Sequence, residues 1–319
     1  TNGKTTTSRM LSHIMKMAGM TVGTTSTDGV YIDGRLTVSG DMTGPTAAQM
    51  VLRDPSVDAA VMETARGGLL RSGLGYRSAN VAACLNVTAD HLGSKGVETV
   101  EDLAEVKRVV VEVAEDAAVL NADDALCLQM ADYCNARKLC YVTMNRSHPL
   151  VREHIQAGGT ALVLEHGING NMITLYDESG HNIPLLWTHL IPATLEGRAL
   201  HNVQNAMFAA AMAYHLNIDL ENIRHGLRTF DSTFFQSPGR LNVYDNLPFK
   251  VILDYAHNPA AVKMVCDVVD RFDISGRKLI VLTVPGDRRD EDIREVASIA
   301  AGHFDYYICR RDDILRGRG

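Results

Sequence analysis

The first seven residues, Thr1-Asn2-Gly3-Lys4-Thr5-Thr6-Thr7, close a phosphate-binding loop, and that loop constrains what must follow it. The full pattern reads G-x-x-x-x-G-K-[ST], and Gly3-Lys4-Thr5 fills its last three positions. A glycine lets the backbone pass close to an anion without a Cβ in the way. Backbone N–H groups of the loop and of the helix after it then point at the phosphates, and the helix dipole favours negative charge there. In this pattern the lysine reaches the β- and γ-phosphates and the hydroxyl ligates Mg²⁺. The required helix is present in the sequence: Met10, Leu11, Ile14, Met15 and Met17 recur at near-helical spacing before Gly19. The chain is therefore expected to use ATP or GTP. The leading glycine of the pattern falls ahead of residue 1, so a longer parent polypeptide is also expected.

A chain of 319 residues with 46% hydrophobic content can bury a large core, and at roughly 150 residues per domain it predicts two domains. The formal net charge of −7 argues against a general nucleic-acid or membrane-surface binder. No apolar run is long enough to span a bilayer and no signal peptide is visible, so a cytoplasmic location is expected. The six cysteines (Cys84, Cys127, Cys134, Cys140, Cys266, Cys309) include no C-x-x-C pair, and several lie in apolar stretches. Buried thiols in a reducing compartment are the expectation, and a zinc site is not.

The first two thirds alternate strand-like and helix-like segments, as a mostly parallel α/β sheet requires. Residues 57–63 read as a buried strand ending in Glu63, and residues 80–86 as another ending in Asn86. An amphipathic helix is predicted over 100–117, then a short strand closing on Asn121. Functional residues of open parallel sheets gather at the carboxyl ends of strands, where Glu63, Asn86 and Asn121 all fall. Residues 160–191 are more β-like, with a turn at Gly167-Ile168-Asn169-Gly170, and 200–216 read as a strong helix. A second unit is predicted from Ser237, giving domains of 1–236 and 237–319. Its strands are expected at 250–254, 278–284 and 306–309, with a helix from Pro259 to about Phe272.

The collinear set Asn2-Gly3-Lys4-Thr5-Thr6, Glu63-Thr64-Ala65, Asn86 to Asp90-His91, Lys107, Asn121-Ala122-Asp123-Asp124, His201-Asn202-Val203-Gln204-Asn205, Gly239-Arg240 and Asp254-Tyr255-Ala256-His257-Asn258-Pro259 resembles the Mur ligase superfamily over nearly the whole chain. The resemblance implies a P-loop-type, mostly parallel central α/β domain followed by a smaller Rossmann-like α/β domain, here incomplete at both ends. It also implies an ATP- and Mg²⁺-dependent ligase that phosphorylates a carboxylate and lets an amine attack the acyl phosphate. Within the superfamily, Asp28-Gly29-Val30-Tyr31-Ile32-Asp33-Gly34, Glu63 to Arg71 and Pro285-Gly286-Asp287-Arg288-Arg289-Asp290-Glu291-Asp292 resemble the cyanophycin-making branch.

That chemistry brings anions together, so it needs cations and metal. By resemblance, Lys4 acts on the phosphates, Thr5 and Glu63 hold Mg²⁺, and His91 helps hold a second ion. A hard cation takes oxygen ligands, and a carboxylate closing a strand beside the loop suits it. Lys107 matches a family lysine that is carbamylated on its amine; an ordinary solvated lysine is the alternative. Asn202 and Asn205 lie one helical turn apart and match residues that read adenine, although Asn202 could instead be a helix cap. Together with Asn2, Gly3 and Thr6, they complete the central domain's share of the nucleotide site. Arg240 matches an arginine that grips the ATP phosphates in pairs of oxygens, Asp254 an acid that binds the ribose, and His257 its loop neighbour.

The branch implies a polyaspartate (cyanophycin) primer and L-arginine as substrates, an ATP-grasp half in the same polypeptide, and a homo-oligomer. Arg66 and Arg71 are candidates to hold the acidic polymer, and Asp287, Asp312 and Asp313, with Asp290, Glu291 and Asp292 beside the first, to hold the incoming arginine. Solvated charge is the alternative for each. Two other readings stay open: a Mur-type ligase acting on a peptidoglycan or folate acceptor, and a non-catalytic scaffold module.

Overall fold

The computed structural model describes residues 1–311 except Ser94 and Asp287. They fall into two compact units. The first comprises Thr1, Gly3–Gly197 and His201–Asp231; the second runs from Ser232 onward, with Asn2 and Arg198–Leu200 grouped with it.

The first unit begins with α1 (Lys4–Met17), which springs directly from Gly3. It is followed by β1 (Val22–Thr25), β2 (Gly29–Ile32), β3 (Arg35–Ser39), α2 (Pro45–Leu52), β4 (Ala59–Met62), α3 (Arg66–Ser72) and β5 (Ala79–Cys84). Next come α4 (Val100–Glu112), β6 (Ala114–Asn121), α5 (Ala125–Gln129), β7 (Lys138–Thr143), α6 (Pro149–Gln156) and β8 (Thr160–Gly167). The unit closes with β9 (Gly170–Tyr176), β10 (Asn182–Trp187), α7 (Leu200–His215) and α8 (Leu220–Thr229).

Its strands form a four-stranded sheet of order β3-β2-β1-β4 and a six-stranded sheet of order β10-β9-β8-β7-β6-β5. In the first sheet β1 and β4 are parallel, with Thr25 opposite Met62. In the second, β5 to β8 are parallel and β8 to β10 form an antiparallel meander. The parallel strands end together, so Cys84, Asn121 and Thr143 finish at one edge, which is where such folds build their sites.

The helix predicted to reach residue 117 stops at Glu112, and Ala114 to Ala117 belong to β6. Pairing on both sides decides this: Ala114 faces Ala79 of β5, and Ala117 faces Lys138 of β7. Ala117, Ala118, Val119 and Leu120 are fully buried, and that long-range gain overrides the local helix preference of an alanine- and acid-rich stretch. The core they join takes Leu103 and Val111 from α4, Cys127 from α5 and Val151 from α6. Helix α7 is buried on nearly every face from Asn202 to Ala213, as an all-round apolar helix must be.

The second unit holds β11 (Asn242–Tyr244), β12 (Val251–Leu253), α9 (Pro259–Val269), β13 (Leu279–Leu282), α10 (Asp290–Ala300) and β14 (Tyr306–Cys309). β11 and β12 pair antiparallel, while β13 and β14 pair parallel. Helix α9 starts cleanly because Asn258 Oδ1 accepts from the Ala261 N–H at 2.9 Å and Pro259 sits at the first helical position. Val262, Cys266, Val296 and Ala300 form its buried core. Among the described residues no helix is long and apolar enough to cross a membrane.

Candidate active site

Gly3 caps α1 in the left-handed region, with φ 85°. A Cβ at this position would lie 2.3 Å from Asn205 Oδ1 and 3.2 Å from Leu85 Cδ2, so both conformation and space demand glycine. Lys4 curls back over the loop, its Nζ donating to the Thr1 carbonyl at 2.6 Å. The Thr1 hydroxyl donates to the Thr88 carbonyl at 3.0 Å and accepts from the Thr88 N–H at 2.9 Å, which ties the loop to the segment after β5.

Glu63 follows β4, and its N–H donates to the Thr25 carbonyl, so the β1–β4 pairing carries it beside α1. Thr5 Oγ1 donates to Glu63 Oε2 at 2.8 Å, and the two residues are only 6% and 3% exposed. The other oxygen, Glu63 Oε1, is buried with no hydrogen-bond partner among the described residues. A buried carboxylate oxygen without a partner is costly, and a cation is the usual remedy. No three His, Cys, Asp or Glu side chains gather into a ready cage among the described residues. The donor set suits Mg²⁺, which takes one or two protein oxygens and completes its shell from phosphate and water.

Asp90 is a node that sequence reasoning had placed only as a neighbour of His91. His91 Nε2 lies 3.9 Å from Asp90 Oδ1, and His91 is exposed with a left-handed backbone (φ 57°). Arg66, at the start of α3, has its guanidinium pKa lowered by burial, against the opposing pull of Asp90. Lys107 sits in α4, a helix fixed by a capping box: Thr99 Oγ1 accepts from the Asp102 N–H, and Asp102 Oδ2 accepts from the Thr99 N–H. Burial first, and then the positive charge of Lys4, hold the Lys107 ammonium below the ordinary lysine value, with Asp90 acting in the opposite sense. Lys4, Lys107, Asp90, His91 and Arg66 therefore share one electrostatic neighbourhood.

Arg71 lies on the exposed face of α3, its Nε donating to the Gly67 carbonyl. Tyr76 was missed from the sequence. Its phenol hydrogen-bonds Thr64, next to Glu63, and burial raises its pKa, so it stays protonated.

Asn202 and Asn205 share a face of α7 but do not present open amide edges. Asn202 Nδ2 donates to the Ala193 carbonyl at 2.7 Å, Asn205 Nδ2 donates to Asn202 Oδ1 at 3.1 Å, and Thr7 Oγ1 donates to Asn205 Oδ1 at 3.2 Å. This buried chain of amides runs to the first turns of α1. Asn202 is the third residue of α7, not its cap. Asn121 Nδ2 donates to the Leu85 carbonyl, and Asp124 caps α5 while accepting from the Val87 N–H.

Arg240, Asp254 and His257 belong to the second unit. Asp254 Oδ2 accepts from the Leu241 N–H at 2.8 Å, and burial raises its carboxyl pKa. The Arg240 guanidinium lies 5.0 Å from the centre of the Tyr255 ring, and His257 Nδ1 donates to the Tyr255 carbonyl. Asp290, Glu291 and Asp292 form the first turn of α10, with Asp292 held in an ion pair by Arg289. Asp287, Asp312 and Asp313 lie outside the described residues.

Residues 1–213 match the Mur ligase middle domain, and residues 239–318 match the Mur ligase, glutamate ligase domain. The chain belongs to the Mur ligase family. Over its whole length it is 47% identical to a cyanophycin synthetase of Nostoc sp. and 44% identical to one of Synechocystis sp., spanning 35% and 36% of those proteins. It is 29% identical over 98% of its length to a UDP-N-acetylmuramoyl-L-alanyl-D-glutamate–2,6-diaminopimelate ligase of Corynebacterium efficiens, covering 56% of that protein. Among solved structures, MurF from Acinetobacter baumannii superposes with a TM-score of 0.67 at 21% identity, over 96% of this chain and 61% of that one. A bifunctional folylpolyglutamate synthase/dihydrofolate synthase with Mn, AMPPNP and L-glutamate bound gives 0.67 at 20% identity, over 96% of this chain and 72% of that one.

Proposed function

We propose that this chain is the arginine-adding ligase part of a cyanophycin-synthesising enzyme. It takes a side-chain carboxylate of a polyaspartate primer to an acyl phosphate at the expense of ATP. The amine of L-arginine then displaces phosphate to leave an amide. The carrying observation is the buried Thr5–Glu63 pair beside the phosphate loop, with one carboxylate oxygen open to a cation. The substrates are drawn from the relatives that the chain resembles over its full length, of which it spans about a third.

Each residue has work suited to its place. Lys4 leaves the Thr1 carbonyl and turns to the nucleotide's terminal phosphates. Thr5 and Glu63 hold Mg²⁺, with His91 supporting a second ion; bound metal would neutralise phosphate charge as two anions approach. Lys107, with its ammonium made easier to deprotonate, is suited to carbamylation, which turns a cation into a carboxylate-like metal prop. Arg66 and Arg71 face the acidic acceptor. Adenine reading by Asn202 and Asn205 requires their amides to exchange protein partners for the base. Within the second unit, Arg240 is suited to phosphate, Asp254 and His257 to ribose, and the acids to the arginine guanidinium.

The test is ATP turnover in the native full-length polypeptide with Mg²⁺. Turnover by this site should need both a polyaspartate primer and L-arginine. Lys4→Ala should reduce arginine incorporation by at least about a hundredfold, the scale of losing one preorganised charge contact in a closed site, while aspartate addition continues. Arginine incorporation at the normal rate by Lys4→Ala contradicts the assignment.

A further inference from the structure

Cys84 and Cys127 stand outside the chemistry above. All six cysteines are free thiols, and these two are in contact, Cys127 Sγ donating to Cys84 Sγ at 3.6 Å. Cys84 ends β5 and is 7% exposed; Cys127 lies in α5 and is fully buried. They come from segments 43 residues apart, so a bond between them would staple strand to helix across the core. The residues just after Cys84 support the phosphate loop. Leu85 lies under Gly3, its carbonyl accepts from Asn121, the Val87 N–H donates to the α5 cap Asp124, and the Thr88 N–H donates to Thr1.

We propose that Cys84 and Cys127 form an oxidative modification site beneath the phosphate loop, closed to a disulfide by a hydroperoxide and reopened by thiol reductants. The two sulfurs have unequal roles. Cys84 is the more accessible of the two, 7% exposed at the end of β5 against 0% for Cys127, so a peroxide meets its sulfur first. Cys84 is therefore the attacking sulfur and Cys127 the resolving one. The Cys84 sulfur attacks the peroxide O–O bond, which breaks; Cys84 becomes a sulfenic acid, and the alkoxide or hydroxide leaves with a proton. The Cys127 sulfur then attacks the Cys84 sulfur, the S–O bond breaks, and hydroxide departs as water with the Cys127 proton. Two thiols lose two electrons and two protons, and the hydroperoxide is reduced to water and alcohol. Closing the sulfurs from 3.6 Å to the bonded separation of about 2.0 Å draws the end of β5 toward α5 and shifts the Leu85–Thr88 support under Gly3.

The linkage itself can be tested apart from the ligase reading; only its consequence for nucleotide binding rests on that reading. The full-length protein is treated with hydrogen peroxide until the exposed Cys309 is oxidised, and its peptides are mapped under non-reducing conditions. The expected product joins the Cys84 and Cys127 peptides, lighter by two hydrogen atoms, with ATP binding weakened on oxidation and restored by dithiothreitol. Cys127→Ala should stop at a sulfenic acid on Cys84 that a dimedone probe captures, and Cys84→Ala should leave Cys127 a thiol. If Cys84 and Cys127 both remain alkylatable thiols while Cys309 is oxidised, the proposal is wrong. A joined pair with unchanged ATP affinity overturns the coupling to the phosphate loop and leaves the ligase assignment standing.

Discussion

Lys107 concentrates the tension between stability and function at this site. Its ammonium pKa is lowered by burial and by Lys4, so the unfolded chain holds that proton more tightly than the folded one. The charged side chain therefore costs stability at neutral pH, and the cost is relieved as pH rises toward the ordinary lysine value. Replacing it with an apolar chain of similar length should remove the cost. In bicarbonate-free buffer, Lys107→Met is expected to raise the thermal midpoint by about 2–4 °C, the shift that about 1 kcal/mol brings in a domain of this size. The same variant should lose ligase activity, and added bicarbonate should stimulate the parent protein but not the variant. A lower midpoint would show that the lysine is stabilising. Lys4 and Thr5 were legible because the phosphate loop names its residue types in seven letters, and Glu63 because it closes an apolar strand and matches the family pattern. Asp90 and Tyr76 were not, because what singles them out is charge coupling to Arg66 and Lys107 for the first and a hydrogen bond to Thr64 for the second, between residues apart in sequence.

Among the elements, the strands and helices that local pattern specifies came through, and those decided by pairing did not. Helix α1 and the buried α7 follow their apolar spacing, and β8 to β10 follow the Gly-Asn turn at Gly167–Gly170. The α4–β6 boundary moved because β5 and β7 both claim Ala114 to Asn121. Asn202 and Asn205 carry a similar lesson: the spacing places them on one face, but only tertiary structure shows their amides spent on Ala193, Thr7 and each other. At the other end of α7, His215 bonds Thr160 of β8 at 3.1 Å. Burial, then Lys138, lower its pKa from 6.5 to about 4, with Glu178 opposing. The folded state thus keeps His215 neutral where the unfolded chain takes a proton. Its contribution is intact above pH 6.5 and is lost as pH falls from 6.5 toward about 4. Urea midpoints measured across that window should show the parent declining more steeply than His215→Gln; equal slopes would remove His215 from the account.

For the whole molecule, two compact units match two domains of one family, and the first holds the loop, Glu63, the Asp90 node and Lys107 together. The central claim is that this assembly energises a carboxyl group by moving the terminal phosphoryl of ATP onto it. The decisive measurement follows the oxygen. A polyaspartate primer with heavy-oxygen-labelled side-chain carboxylates is supplied with ATP, Mg²⁺ and L-arginine to the full-length protein, and the released inorganic phosphate is analysed by mass spectrometry. An acyl phosphate requires one labelled oxygen in the phosphate for each amide formed. Amide formation with unlabelled phosphate, or with AMP and pyrophosphate as the nucleotide products, would contradict the account.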